Sequence, residues 1–213
     1  MTITDCDSAA EGELVIPKEI EGLPVTSIGD DAFFSCSSLN SITVPDGAIS
    51  IGSGAFNSCT SLTSITIPNG VTSIGFGAFG DCRNLTSITI PNGVTSIDDE
   101  AFAGCNSLTS IRIPEGVTSI DFGAFRDCRN LTSITIPDSI TSIGVGVFFE
   151  CSSLTSITIP DSVISIGIDA FLECTSLTSI TIPQAFHSEA EASRLGLDEL
   201  WPDGFALPDS SSK

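Results

Sequence analysis

Apolar and polar positions follow a fixed rhythm along most of this chain. In Leu85-Thr-Ser-Ile88-Thr-Ile90 the apolar residues fall at positions 1, 4 and 6, and Ile88 and Ile90 alternate with Ser87 and Thr89. Period-2 alternation predicts a short strand with one buried face, and β-branched Ile and Thr suit a pleated surface. Pro91 stops the strand, because proline donates nothing to a ladder. Asn92-Gly93 supplies a turn, and Val94-Thr-Ser-Ile97 reads as a second, shorter extended piece. Apolar residues then recur at one-turn spacing in Ala101-Phe102-x-x-Cys105-x-x-Leu108, which predicts one turn of α or 3₁₀ helix leading to the next strand.

The same unit returns every 23 residues as C-x-x-L-T-S-I-T-I-P, a turn pair, then V-T-S-I-G-x-x-A-F. Strand-plus-proline elements end at Pro45, Pro68, Pro91, Pro114, Pro137, Pro160 and Pro183, with a degenerate forerunner in Leu14-Val-Ile-Pro17. A fixed period of this length marks a solenoid: each unit buries its apolar face only against its neighbours. The expected fold is therefore a β-dominated α/β repeat solenoid of short strands and single helical or 3₁₀ turns. The expected organisation is an irregular capping unit over 1–28, seven 23-residue repeats over 29–183, and a capping helix with a disordered tail over 184–213. The inward set per unit is Val, Ile, Ala, Phe, Cys, Leu, Ile, Ile. Its Phe positions, from Phe33 to Phe171, should form an aromatic column.

From Cys36 to Cys174 the cysteines also stand 23 residues apart, with Cys6 outside the series. Zinc sites use ligand pairs two to four residues apart, and no such pair occurs. Parallel Cβ vectors in a stack do not aim at one another. Free thiols at a small buried position are expected, with no cofactor and no metal.

Composition narrows the function. Seven Lys and Arg against 27 Asp and Glu give a formal net charge of −20. Such a surface repels phosphates, which argues against nucleic acid and anionic membranes. The N-terminus shows neither a basic region nor an apolar h-region, and no run approaches the length of a membrane span, so no membrane insertion is expected. Ser (32) and Thr (21) make up a quarter of the chain, Tyr is absent, and His and Trp occur once each. No acid–base pair converges in the pattern, so no catalytic residues are assigned and an enzyme is not expected.

The strand face directed away from the core carries a ladder of small hydroxyls: Ser64/Thr66, Ser87/Thr89, Ser110/Arg112, Ser133/Thr135 and Ser156/Thr158. Solenoids present such surfaces to partners, and Arg112, the one interruption, is of a type enriched at binding hot spots. The alternative is a solvated face whose hydroxyls bond across strands. Ranks of Ser-x-Thr also suggest ice binding, by pattern analogy alone. Acids form columns too, including Asp138 and Asp161 after proline and Asp81, Asp127, Glu150 and Glu173 before cysteine. One carboxylate per coil reads better as solubility and edge protection than as a calcium site. Asn84-Leu-Thr86 and Asn130-Leu-Thr132 match a glycosylation sequon, a frequent coincidence in a Thr-rich repeat. Beyond the repeats, Ser188-x-x-Glu191 reads as a capping box opening a short helix, with His187 on the surface beside it. Leu195, Leu197, Leu200, Trp201 and Phe205 read as an apolar lid on the last coil.

With L-T-S-I-T-I-P, V-T-S-I-G and A-F-x-x-C recurring seven times, the chain resembles the BspA-like leucine-rich repeats, with Ile in place of Leu. The leading segment from Ile3 to Ile28 resembles the irregular first unit of such arrays. The resemblance implies a leucine-rich right-handed superhelix, curved and β-lined. It further implies a monomeric scaffold that binds a protein or glycan partner at a cell surface or after secretion, in adhesion; without export it would be cytoplasmic. A rigid spacer or assembly module of a larger surface protein is the second reading, and ice binding the third.

Overall fold

A computed structural model describes residues 1–200. The chain winds into about eight stacked turns, and two columns of parallel strands run along the stack. The long-strand column contains Glu11–Val15, Ser38–Thr43, Ser64–Thr66, Ser110–Arg112, Ser133–Thr135, Ser156–Thr158 and Ser179–Thr181. The short-strand column runs from Thr2–Ile3 through Ser27–Ile28, Ser50–Ile51 and Ser73–Ile74, then from Ser96–Ile97 to Ser165–Ile166. In the regular coils each residue pairs with its equivalent 23 positions on, as in Ser110↔Ser133, Ile111↔Ile134 and Arg112↔Thr135. The buried residues of one coil are Val94, Ile97, Ala101, Phe102, Cys105, Leu108, Ile111 and Ile113, the set the alternation predicts. Phe33 to Phe171 stack as one column, with centroid spacings of 5.2 to 5.9 Å and nearly parallel rings.

The return segment differs from its expectation. Bonds of the 3₁₀ kind are present, such as Ala103 N–H to Glu100 O (3.0 Å) and Cys105 N–H to Phe102 O (3.2 Å), but no helix forms in the repeats. Two positions per coil, Glu100 (φ 54°) and Gly104 (φ 72°) in this one, take left-handed backbone angles that interrupt a helix. Alternate N–H groups point along the stack instead: those of Glu100, Phe102 and Gly104 donate to the carbonyls of Phe122, Ala124 and Arg126 at 2.8 to 2.9 Å. The returns thus form a third inter-coil ladder and leave only alternate N–H groups for bonds within the turn, too few to sustain a helix.

The buried thiols tie into this framework. Each Cys from Cys59 to Cys174 donates its S–H to the carbonyl of the Phe 26 residues earlier, at 3.1 to 3.2 Å. That carbonyl also accepts the N–H of the cysteine in its own coil, so both of its lone pairs are used. All eight cysteines are free.

One seam interrupts the short-strand column, while the long-strand ladder also breaks between Ser133–Thr135 and Ser156–Thr158. From Ser27–Ile28 onward, the residue after each short strand is Gly29, Gly52, Gly75, Gly144 or Gly167, except at Asp98 and Asp121. A Cβ at Gly75 would lie 2.8 Å from the Ser53 nitrogen, and one at Gly167 would lie 2.3 Å from that of Val145, so glycine permits the close approach of coils. Asp98 introduces a Cβ where its coil meets that of Gly75. At that junction Ser73–Ile74 and Ser96–Ile97 belong to separate sheets. In the same coil the long-strand column retains only the bridge Ser64↔Ser87.

The helix Glu189–Leu195 covers the final coil. Its Arg194 and Leu195 carbonyls accept the N–H groups of Asp169 and Phe171, which continues the third ladder, and Arg194 Nη1 donates to the Ile166 carbonyl at 2.7 Å. Ser188 caps the helix by accepting the Glu191 N–H at 3.2 Å. The reciprocal half of the capping box is absent, because the Glu191 carboxylate pairs with Arg194. Gly196 ends the helix at φ 77° and lies so close to Leu172 that no side chain fits. Leu195 and Leu197 are buried beneath this cap and Leu200 partly so. Trp201, Phe205 and the expected tail lie outside the described residues.

Candidate binding surface

The long-strand column places its side chains by simple alternation. Ile65, Ile111, Ile134 and Ile157 point into the core, so the residues on either side point outward. Ser64, Thr66, Ser87, Thr89, Ser110, Arg112, Ser133, Thr135, Ser156 and Thr158 are all exposed, and the 23-residue stacking sets them in two adjoining rows, with direct ladder pairing between Ser110–Arg112 and Ser133–Thr135. The Ser87–Thr89 pair sits at the seam, joined through Ser87 alone.

Hydrogen bonding separates these hydroxyls from most of the threonines beside them. Thr63, Thr86, Thr132 and Thr178, one position before the serine row, donate to the carbonyl of the preceding coil at 3.0 to 3.3 Å. Thr72, Thr118 and Thr141 do the same beside the short strands. Those two columns zip the coils together. None of the nine outward hydroxyls makes a hydrogen bond within the protein, so their donors and acceptors all face solvent.

Arg112 rises from the middle of the row. Among the described residues it is the one Lys or Arg side chain without an acidic partner; Lys18, Arg83, Arg126, Arg129 and Arg194 are all paired. Next to it, an open depression of about 680 Å³ lies over the adjacent coils, with Ser133, Thr135, Ser156 and Thr158 on its floor and Asp138 and Asp161 at its edge. The post-proline acids thus border the hydroxyl rows, a relation the linear reading of two separate columns missed. Alternation fixes which residues face out, but lateral distance between a strand and the turn after it follows only from the fold.

The turn face carries a second polar cluster that the sequence did not single out. Arg83, Arg126 and Arg129 surround a depression of about 420 Å³ and are interleaved with Asp81, Glu100, Asp127 and Glu150. Burial opposes the charge on Asp127. Hydrogen bonds from Arg129 and Arg126 outweigh it, and hold the carboxyl below its usual range. The Arg126 guanidinium also lies over the Phe149 ring, 5.8 Å from its centroid. Every arginine here already has an acidic partner, so the cluster presents little net charge to a ligand. The signal for it is the 23-residue phase: Arg83 and Arg129 occupy the same repeat position two coils apart.

The remaining candidates show no convergent chemistry. His187 is partly buried, with its Nε2 bonded to the Ile182 carbonyl at 2.8 Å. The pre-cysteine acids Asp81, Asp127, Glu150 and Glu173 occupy left-handed backbone positions. Among the described residues no group of three or more His, Cys, Asp or Glu is placed to hold a metal ion, and no helix is long and apolar enough to cross a membrane. Asn84 and Asn130 are exposed.

Comparison with known proteins bears on this geometry. The family model for the BspA type leucine rich repeat region matches residues 14–132 and 72–188. The fold is similar to the crystal structure of a T. pallidum leucine rich repeat protein, with 31% identity, a TM-score of 0.72, and coverage of 86% of this chain and 83% of that one. It is also similar to a leucine rich cell surface protein from Faecalibacterium prausnitzii A2-165, with 27% identity, a TM-score of 0.50, and coverage of 92% and 76%. No curated protein matches the chain.

Proposed function

The chain belongs to the BspA-type leucine-rich repeat family, and from that premise we propose that it is a non-enzymatic scaffold that binds a protein or glycan through its long-strand face at a cell surface. One observation carries the reading: the outward hydroxyls are free of internal hydrogen bonds, while most threonines of the neighbouring columns (Thr63, Thr86, Thr132, Thr178, Thr72, Thr118 and Thr141) bond between coils. A face evolved only to hold the stack would use its hydroxyls between coils, as those columns do. Unpaired Arg112 adds a five-donor group suited to carboxylate or carbonyl acceptors. The F. prausnitzii protein is described as a cell surface protein, which supports the location.

The test compares three proteins on a glycan array and against immobilised extracellular protein fractions: the parent, Thr89→Glu/Arg112→Glu/Thr135→Glu, and Arg83→Glu/Arg126→Glu/Arg129→Glu. Parent signals that vanish in the first variant, survive in the second and accompany an unchanged melting temperature are the expected result. Loss confined to the second variant would move the contact to the turn face. Absence of any signal from the parent would favour the spacer role.

A further inference from the structure

We propose that Cys6 and Cys36 form a disulfide that locks the irregular N-terminal unit onto the stack when the protein meets a low-molecular-weight disulfide. Cys36 opens the cysteine column, but its S–H finds no carbonyl of the preceding coil at the spacing the later thiols use. The six later thiols are fixed at 3.1 to 3.2 Å from a Phe carbonyl. Cys36 reaches only the Asp7 carbonyl, at 4.0 Å, and Cys6 approaches the same oxygen at 3.6 Å. Two sulfurs thus converge on one acceptor. No other pair in the column combines slack in the hydrogen bond with a neighbour from outside the regular stack.

Access and chemistry agree with this pairing. Cys6 is partly exposed, whereas Cys59 to Cys174 are buried. Burial, reinforced by Cys6, pushes the Cys36 thiol up to about 12, so Cys6 attacks first. Its thiolate displaces one glutathione from oxidised glutathione and forms a mixed disulfide. The Cys36 sulfur then attacks Cys6 Sγ and displaces the second glutathione, which takes the Cys36 proton. Two electrons pass from the cysteine pair to glutathione disulfide, which leaves as two thiols.

The unit that would be locked packs less completely than the regular coils. Ile3, Ala10, Leu14 and Ile20 are only partly buried, and the strand register shifts between Gly12 and Glu13. Its ties to the stack include the Thr26 and Gly29 N–H groups, which donate to the Met1 and Ile3 carbonyls.

The experiment incubates the full chain with oxidised glutathione, alkylates remaining thiols in denaturant, and maps disulfides by mass spectrometry after trypsin and an Asp-specific protease. One bridge between Cys6 and Cys36, with six alkylated cysteines, is expected. Hydrogen exchange at Thr26 and Gly29 should slow by on the order of tenfold, with the Phe102 amide unchanged, and Cys6→Ser should abolish both effects. A Cys36–Cys59 bridge, or eight alkylated cysteines, overturns the pairing. A Cys6–Cys36 bridge without slower exchange overturns the lock.

Discussion

Removing one ring from the aromatic column tests the packing argument quantitatively. Phe102 is fully buried, stacked 5.5 Å from both Phe79 and Phe125 with interplanar angles of 5° and 4°. Truncation to alanine empties a site bounded by coils that cannot collapse without breaking their ladders. A buried Phe→Ala change costs about 3–5 kcal/mol, and two lost ring contacts place this one near the upper end. For a chain of this size about 4–5 kcal/mol lowers the melting temperature by roughly 10–15 °C. Phe122 is 44% exposed at the return edge, so Phe122→Ala should fall within about 0.5 kcal/mol of the parent and shift the midpoint by roughly 1–2 °C. Thermal melting followed by circular dichroism, with both variants beside the parent, measures the contrast. Equal shifts would refute the assignment of inward and outward positions.

Two further predictions concern the thiols and the seam. Burial lifts Cys59, Cys128 and Cys174 from 9.0 to about 12, so between these values the unfolded chain has lost protons that the folded one keeps. Their contribution to stability is complete below about pH 9 and is lost as the pH climbs toward 12, and melting temperatures at about pH 10.5 should lie well below those at about pH 8; a flat profile would contradict the buried thiol column. Asp98→Gly removes the Cβ at the seam, so hydrogen exchange should slow at the Ile97 amide without loss of melting temperature. Unchanged exchange there would mean that the Asp98 side chain does not hold the coils apart.

Much of this architecture is written in the spacing. Ile88 and Ile90 between hydroxyls dictate the strand, Pro91 its end, and the 23-residue phase of Phe and Cys their columns. The return segment was less legible, because Ala-Phe-x-x-Cys has the same apolar spacing in a helix and in paired turns. The distinguishing signal lies in two other positions. Asp31, Gly54, Gly77, Glu100, Gly123, Gly146 and Asp169 share one repeat position, and its glycines mark the left-handed backbone observed there. At the second, the acids before cysteine read as a charge column, whereas the structure gives them a conformational role as well.

The candidate surface divides in the same way. Alternation identifies Ser64 to Thr158 as outward, since that depends only on period 2. It does not reveal that Thr86 spends its hydroxyl on the Thr63 carbonyl while Thr89 spends its own on nothing, because this depends on the offset between coils. The Arg83, Arg126 and Arg129 cluster likewise needs the inter-coil geometry that brings residues 43 and 46 positions apart around one depression.

Equivalence of residues 23 apart is the premise under every surface described, and internal deletion tests it most directly. Removing residues 129–151 joins Cys128 to Ser152 and should yield a protein one coil shorter, with its sheet signal and a cooperative melt retained. A control lacking residues 129–149 is two residues out of phase, which misplaces the Phe and Cys positions of every following coil, and it should not melt cooperatively. Loss of the cooperative transition in the in-phase deletion, or its survival in the control, would contradict the stacked-repeat account.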